Sequence, residues 1–149
     1  MVRLIRIFLT SVILGPLLLV TGHSLAFAQR QDSPACAEPA FDQFLRRFGH
    51  EISFQEKSVA DPLESDFVDP TAEPEPKTVS NQIPLAEVEW PVVADLTMLK
   101  KSGHEIEISD EDGGIKKVLI RKPDTGDQQS YYFARRPCWQ LVKMSDESL

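Results

Sequence analysis

The side chains best suited to nucleophilic, metal or proton chemistry are few in this chain: Cys36, Cys138, His50, His104, Tyr131 and Tyr132, set among 23 carboxylates and 16 basic residues. A zinc site needs several Cys or His ligands at short spacing, and neither His50 nor His104 has a second His or a free Cys nearby in sequence. In "HEIEIS", strand alternation sends His104 to the opposite side from Glu105 and Glu107, so the three do not converge. "SDEDGG" is acid-rich, but a calcium loop of the EF-hand type wants oxygens at alternating positions and a glutamate at the twelfth. Counting from Asp110, the alternation meets Gly114 and the twelfth residue is Arg121, so the stretch reads as a turn. No G-x-S-x-G, H-E-x-x-H or glycine-rich phosphate loop occurs. These residues imply no metal, no cofactor and no catalytic set. Tyr131 and Tyr132 alternate across a strand, so one faces inward as core filler with its hydroxyl at the rim.

The cysteines point instead to compartment and architecture. The opening "MVRLIRIFLTSVILGPLLLVTGHSLAFAQ" has a basic start at Arg3 and Arg6, an apolar run from Ile7 to Val20, and small residues at Ala26 and Ala28 before Gln29. The run is short against the ~20 residues of a membrane span, and Gly15-Pro16 interrupts it. This pattern predicts a signal peptide over residues 1–28, cleaved between Ala28 and Gln29, and a single α+β domain over 29–149. No cysteine follows the cleavage motif, which argues against a lipid anchor. The expected location is the periplasm or the exterior, with no stable membrane anchor after cleavage. In an exported chain, an even cysteine count reads as a disulfide. Cys36 and Cys138 are the one intramolecular pair available, and a reactive thiol would need an unpaired cysteine beside a base.

Which elements hold these residues? "EPAFDQFLRRFG" places Phe41, Phe44, Leu45 and Phe48 on one helical stripe, with Glu38 before the helix, Pro39 in its first turn and Gly49 at its end. In the middle, "ISFQEKSVADPL" and "ESDFV" suggest extended pieces broken at Pro62. "DPTAEPEPKT", Asp69 to Thr78, is a Pro/Glu-rich loop that cannot bury itself. "WPVVADLTMLKKSG" suggests a short helix from near Pro91, with Val92, Leu96 and Leu99 on one face and Gly103 as the stop. From His104 the period changes to two: "HEIEIS", "IKKVLIR", "QSYYFAR" and "CWQLVKM" read as antiparallel strands, the first turn centred on Asp112-Gly113. Trp139 and Leu141 share one face of the last strand; Cys138, Gln140 and Val142 share the other. A Cys36–Cys138 bridge would pin the phenylalanine helix against that strand. The fold class is α+β: one or two N-terminal or central helices packed on a curved antiparallel sheet of about four or more strands.

"FDQFLRRF", then Phe54-Gln55 and Pro62-Leu63, then the terminal "YYF…CWQLVKMSDESL", resembles a family of uncharacterised exported bacterial proteins. The matching positions are Phe41, Phe44, Phe48, Phe54, Gln55, Pro62, Leu63, Trp139, Leu141 and Ser148, while Asp61 stands where that pattern has an apolar or aromatic residue. The resemblance implies a cone-shaped α+β fold like that of nuclear transport factor two, and it brings no catalytic residues.

Charge narrows the partners. The signal segment holds two bases and no acid, so its removal takes the formal charge from −7 to −9. A nucleic-acid backbone or an anionic membrane would be repelled. The basic pairs Arg46-Arg47, Lys100-Lys101, Lys116-Lys117 and Arg135-Arg136 are scattered, as on solvated faces. The reading that follows is an exported, disulfide-bonded module that binds an unknown protein or small molecule. The alternatives are a small enzyme working from a pocket between helix and sheet, with a carboxylate base and a tyrosine donor, or an acidic inhibitor of a basic partner.

Overall fold

Helix α1 runs from Phe41 to Phe48 and turns Phe44, Leu45 and Phe48 into the core. The computed structural model describes residues 36–148; the expected signal segment and its Ala28/Gln29 junction lie outside them. The helix starts later than the sequence suggests: Ala40 caps it, and Glu38 and Pro39 stay outside. The Trp139 indole N–H donates to the Pro39 carbonyl at 3.2 Å, so this segment is held against the last strand rather than wound into the helix. Gly49 does follow the helix, at φ −76°. Its lack of a side chain matters for a different reason. A Cβ there would lie 2.5 Å from Cγ of Leu96, so the glycine lets the two segments touch.

A short helix, α2 (Ile52–Gln55), leads into β1 (Val59–Asp69). Here the expected break at Pro62 is wrong. The strand runs through the proline because no ladder hydrogen bond is asked of it: pairing with β2 begins at Leu63, and the register against β6 jumps between Val59 and Glu64. The Pro/Glu-rich loop is the exposed connection over residues 70–76, while Asp69 belongs to β1 and Lys77-Thr78 to β2. Strand β2 (Lys77–Ile83) was not foreseen, and a 3-10 turn over Leu85–Glu87 follows it.

Helix α3 (Leu96–Lys101) begins five residues beyond Pro91, with Asp95 as its cap accepting from the amides of Thr97 and Met98. The backbone before it is held instead by Gln55, whose side-chain oxygen accepts from the amides of Val92 and Val93. Then come β3 (Glu105–Glu111), β4 (Ile115–Arg121), β5 (Gln128–Arg135) and β6 (Trp139–Asp146). The β3–β4 turn sits one residue later than expected: Gly113 and Gly114, not Asp112, take positive φ, since only glycine does so without a Cβ clash.

The six strands form one sheet in the order β2-β1-β6-β5-β4-β3. Every pairing is antiparallel except β1 with β6, which is parallel. The fold is α+β, and the sheet does not close on itself. One face carries Leu63, Val118, Ile120, Tyr131, Phe133 and Leu141, all buried with α1. Among the described residues, no helix is long and apolar enough to cross a membrane.

Candidate functional site

Cys36 and Cys138 form a disulfide with a Cα–Cα distance of 5.4 Å, joining the segment before α1 to the start of β6. It holds α1 over the sheet, where the rings fill the space between the two layers. Phe41 meets Trp139 at 4.9 Å between centroids and Phe133 at 5.5 Å; Phe44 meets Phe48 and Phe54 at 5.5 Å each; Phe48 stands edge-on to Phe133 at 5.3 Å. Phe48, Phe133, Leu63 and Leu141 have no exposed surface. A ligand at the centre of the interface between α1 and the sheet would have to displace this cluster.

The histidines are not brought together. His50 Nδ1 lies 2.7 Å from Asp95 Oδ2, beside the α3 cap, and the His50 side chain lowers the Asp95 pKa, helped by the Met98 and Thr97 amides. His104 Nε2 lies 3.0 Å from Asp127, with its other nitrogen 3.0 Å from the Ser102 hydroxyl. Among the described residues, no three His, Cys, Asp or Glu side chains gather as a metal site. Tyr131 is buried, and its hydroxyl donates to the Gln129 side-chain oxygen at 2.7 Å rather than to a carboxylate. Burial, reinforced by Asp146 and Asp127, pushes its pKa up to about 12. A tyrosine so placed fills the core and keeps its proton at neutral pH.

The opposite sheet face bears the more organised polar group. Register aligns Glu64 with Lys143 and with Gln82, Asp66 with Ser80, and Tyr132 with Lys143 and Lys117. Lys143 and Tyr132 share this face because the β5–β6 register shifts between Tyr132 and Phe133, which pairs Phe133 with Leu141 and Tyr132 with Lys143. The Lys143 ammonium reaches Glu64 at 2.7 Å and Asp66 at 2.6 Å. It stands 6.0 Å from the centre of the Tyr132 ring, and Lys117 stands 5.6 Å from the same ring. A cleft of about 430 Å³ opens here, lined by Pro62, Glu64, Gln82, Tyr132, Arg136 and Lys143.

Charge pairing favours the charged forms of Lys143 and Asp66. The Asp66 hydrogen bond, then that of Glu64, raises the Lys143 pKa; the Lys143 bond, then the Ser80 hydroxyl, lowers that of Asp66. Both shifts move away from neutrality, which favours recognition by fixed charges over proton transfer.

The fold has a counterpart among solved structures. Over 77% of its length, the chain matches the crystal structure of an NTF2-like protein from Bacteroides fragilis with a TM-score of 0.55. The fold is NTF2-like. The identity is 18%, and this chain spans half the length of that one. No family model and no curated protein matches the chain.

Within this NTF2-like frame, Gln55 is a buried polar residue of the core whose organising role the sequence does not reveal. It is buried at 1% exposure. Its amide nitrogen donates to the carbonyls of Phe48 and Val93 at 2.8 Å each, and its oxygen accepts from the amides of Val92 at 2.9 Å and Val93 at 3.3 Å. The signal was an amide between Phe54 and a charged Glu56-Lys57 step, which alone does not say where the amide points.

Proposed function

We propose that this chain is an exported, disulfide-bonded binding module acting through its surface on a protein or small-molecule partner. The observation that carries the proposal is the ring-filled interior: Phe41, Phe44, Phe48, Phe133 and Trp139 fill the centre of the interface between α1 and the sheet, and the polar groups lie outside it. The ion pairs of Lys143 with Glu64 and Asp66 supply fixed charges on the open sheet face, suited to recognition. Export is supported by the leading segment's composition and by a disulfide that an oxidising compartment would preserve. The module has no affinity for nucleic acid, because its formal charge would oppose the phosphate backbone. The test is to immobilise the oxidised chain and seek a ligand retained at near-equal molar ratio from an exported-protein extract. A specific stoichiometric partner supports the proposal; turnover of a substrate by the purified chain overturns it.

A further inference from the structure

Strand β3 ends the sheet, so one of its edges has no partner strand among the described residues. Its burial pattern is unusual for a strand: six of its seven residues are exposed, and Ile106 is half-buried. The two faces of the strand differ in chemistry. Ile106 and Ile108 turn toward a groove of about 350 Å³, lined also by Leu45 of α1 and Leu96 of α3. Ile108 is 51% exposed there, and Met98 on the same helix α3 is 60% exposed. Glu105, Glu107 and Glu111 lie on the other face. Arg121 answers two of them, at 2.9 Å from Glu105 and 3.0 Å from Glu107.

An open strand edge is a template for backbone pairing, and its side chains select what pairs. A second copy of β3 is a poor fit. A two-fold antiparallel register centred on Glu107 sets Glu107 on Glu107; one centred on Ile108 sets Glu105 on Glu111; one centred on Ser109 sets Glu107 on Glu111. Like charges directly opposite destabilise a strand pair. A basic strand has the opposite sign and gains from each contact. The groove favours apolar side chains on the other face: Leu45, Leu96, Ile106 and Ile108 line it, Asp42 there is paired with Arg46 at 3.4 Å, and Lys100 opposes a basic side chain. The opposite edge of the sheet, β2, offers Lys77 and no acid.

We infer that β3 is a docking edge for an extended basic segment whose Lys or Arg residues alternate with apolar ones. The basic side chains meet Glu105, Glu107 and Glu111, and the apolar ones pack on Ile106 and Ile108. The inference rests on the binding-module reading and names the partner's chemistry.

The probe is a capped peptide of about eight residues, alternating Lys and Val, long enough for one strand. It is titrated into the oxidised chain while backbone amides are followed by NMR. Shifts confined to Glu105–Glu111 and the groove, weakening about tenfold or more as salt rises, are the expected result. An alternating Glu-Val peptide and a block peptide of four Lys then four Val should each bind at least about tenfold more weakly, because one lacks the charge and the other the period. Glu107→Lys and, separately, Ile108→Lys should each abolish the shifts, with unchanged spectra elsewhere showing that the variants fold. Silent β3 amides, shifts on β2 or the open sheet face, or equal binding by either control peptide would overturn the inference. A natural partner whose footprint lies on the Lys143 face would end the edge assignment and keep the binding module. Substrate turnover would end both.

Discussion

Gln55 shows what one buried side chain can organise. Its amide replaces a stretch of secondary structure: the carbonyl of Phe48 closes the end of α1, and the backbone of Val92 and Val93 is fixed before α3. Truncation to alanine leaves these backbone groups buried and unpaired, each a desolvation cost of ~1 kcal/mol or more, so Gln55→Ala should destabilise the chain by about 3 kcal/mol in urea unfolding. A loss below about 1 kcal/mol would mean that water enters and replaces the amide, against the organising role. Tyr131 gives a pH signature at the same scale. Its pKa is about 12 when folded, raised by burial first. The unfolded hydroxyl titrates near its ordinary value of about 10, so between these values the unfolded chain has lost a proton that the folded chain keeps. Stability is therefore fully present below about pH 10 and falls as pH rises toward 12. Tyr131→Phe should remove most of that decline, read as urea midpoints across the alkaline range. An unchanged slope would assign the decline to other groups.

Elements were legible where period and punctuation agreed. The Phe41–Leu45–Phe48 stripe gave α1 to the residue at its C-terminal end, and alternation, with glycine turns before β4 and β5 and Arg136-Pro137 before β6, gave β3 to β6. Strand β1 was obscured because its inward positions include Ser65 and a proline sits in the gap between two registers. Strand β2 was missed because an edge strand of Thr, Ser, Asn and Gln has little apolar alternation to read. The parallel β1–β6 pairing joins segments far apart in sequence, and no local pattern encodes it. For the candidate site, the cysteine pair was legible, and so was the inward turn of one of Tyr131 and Tyr132, though not which; the Lys143–Glu64–Asp66 group was not, because it depends on that parallel register. The disulfide can be weighed at this scale too. It closes a loop with a sequence separation of 102, for which chain entropy gives at most ~4.7 kcal/mol. Replacing both cysteines by serine should lower stability by about 2–4 kcal/mol. A further expectation separates staple from bystander: amide exchange should speed up most in α1, whose attachment to β6 the bond secures. Uniform acceleration across the sheet and α1 would mean that the bond acts on the unfolded chain alone.

At the scale of the whole molecule, charge and compartment make one argument. The chain carries 23 acids against 16 bases, and the segment expected to be removed holds two of those bases. Export would thus leave a more acidic protein, soluble by self-repulsion and primed for cationic partners. It would also place Cys36 and Cys138 where their bond persists, whereas a reducing cytosol would keep the thiols apart. Export would therefore couple location to fold. Produced with its leading segment in a double-membraned bacterium, the chain should be recovered from the periplasm with Gln29 at its N-terminus and no titratable thiol. Produced from Gln29 in a reducing cytosol, it should carry both thiols free and unfold at lower urea, and mild oxidation should restore the midpoint. N-terminal sequencing, thiol titration and urea unfolding read all three. Recovery of the uncleaved chain in the membrane fraction would make residues 1–28 an anchor. Equal midpoints with and without the bond would remove the reason to tie the fold to an oxidising compartment.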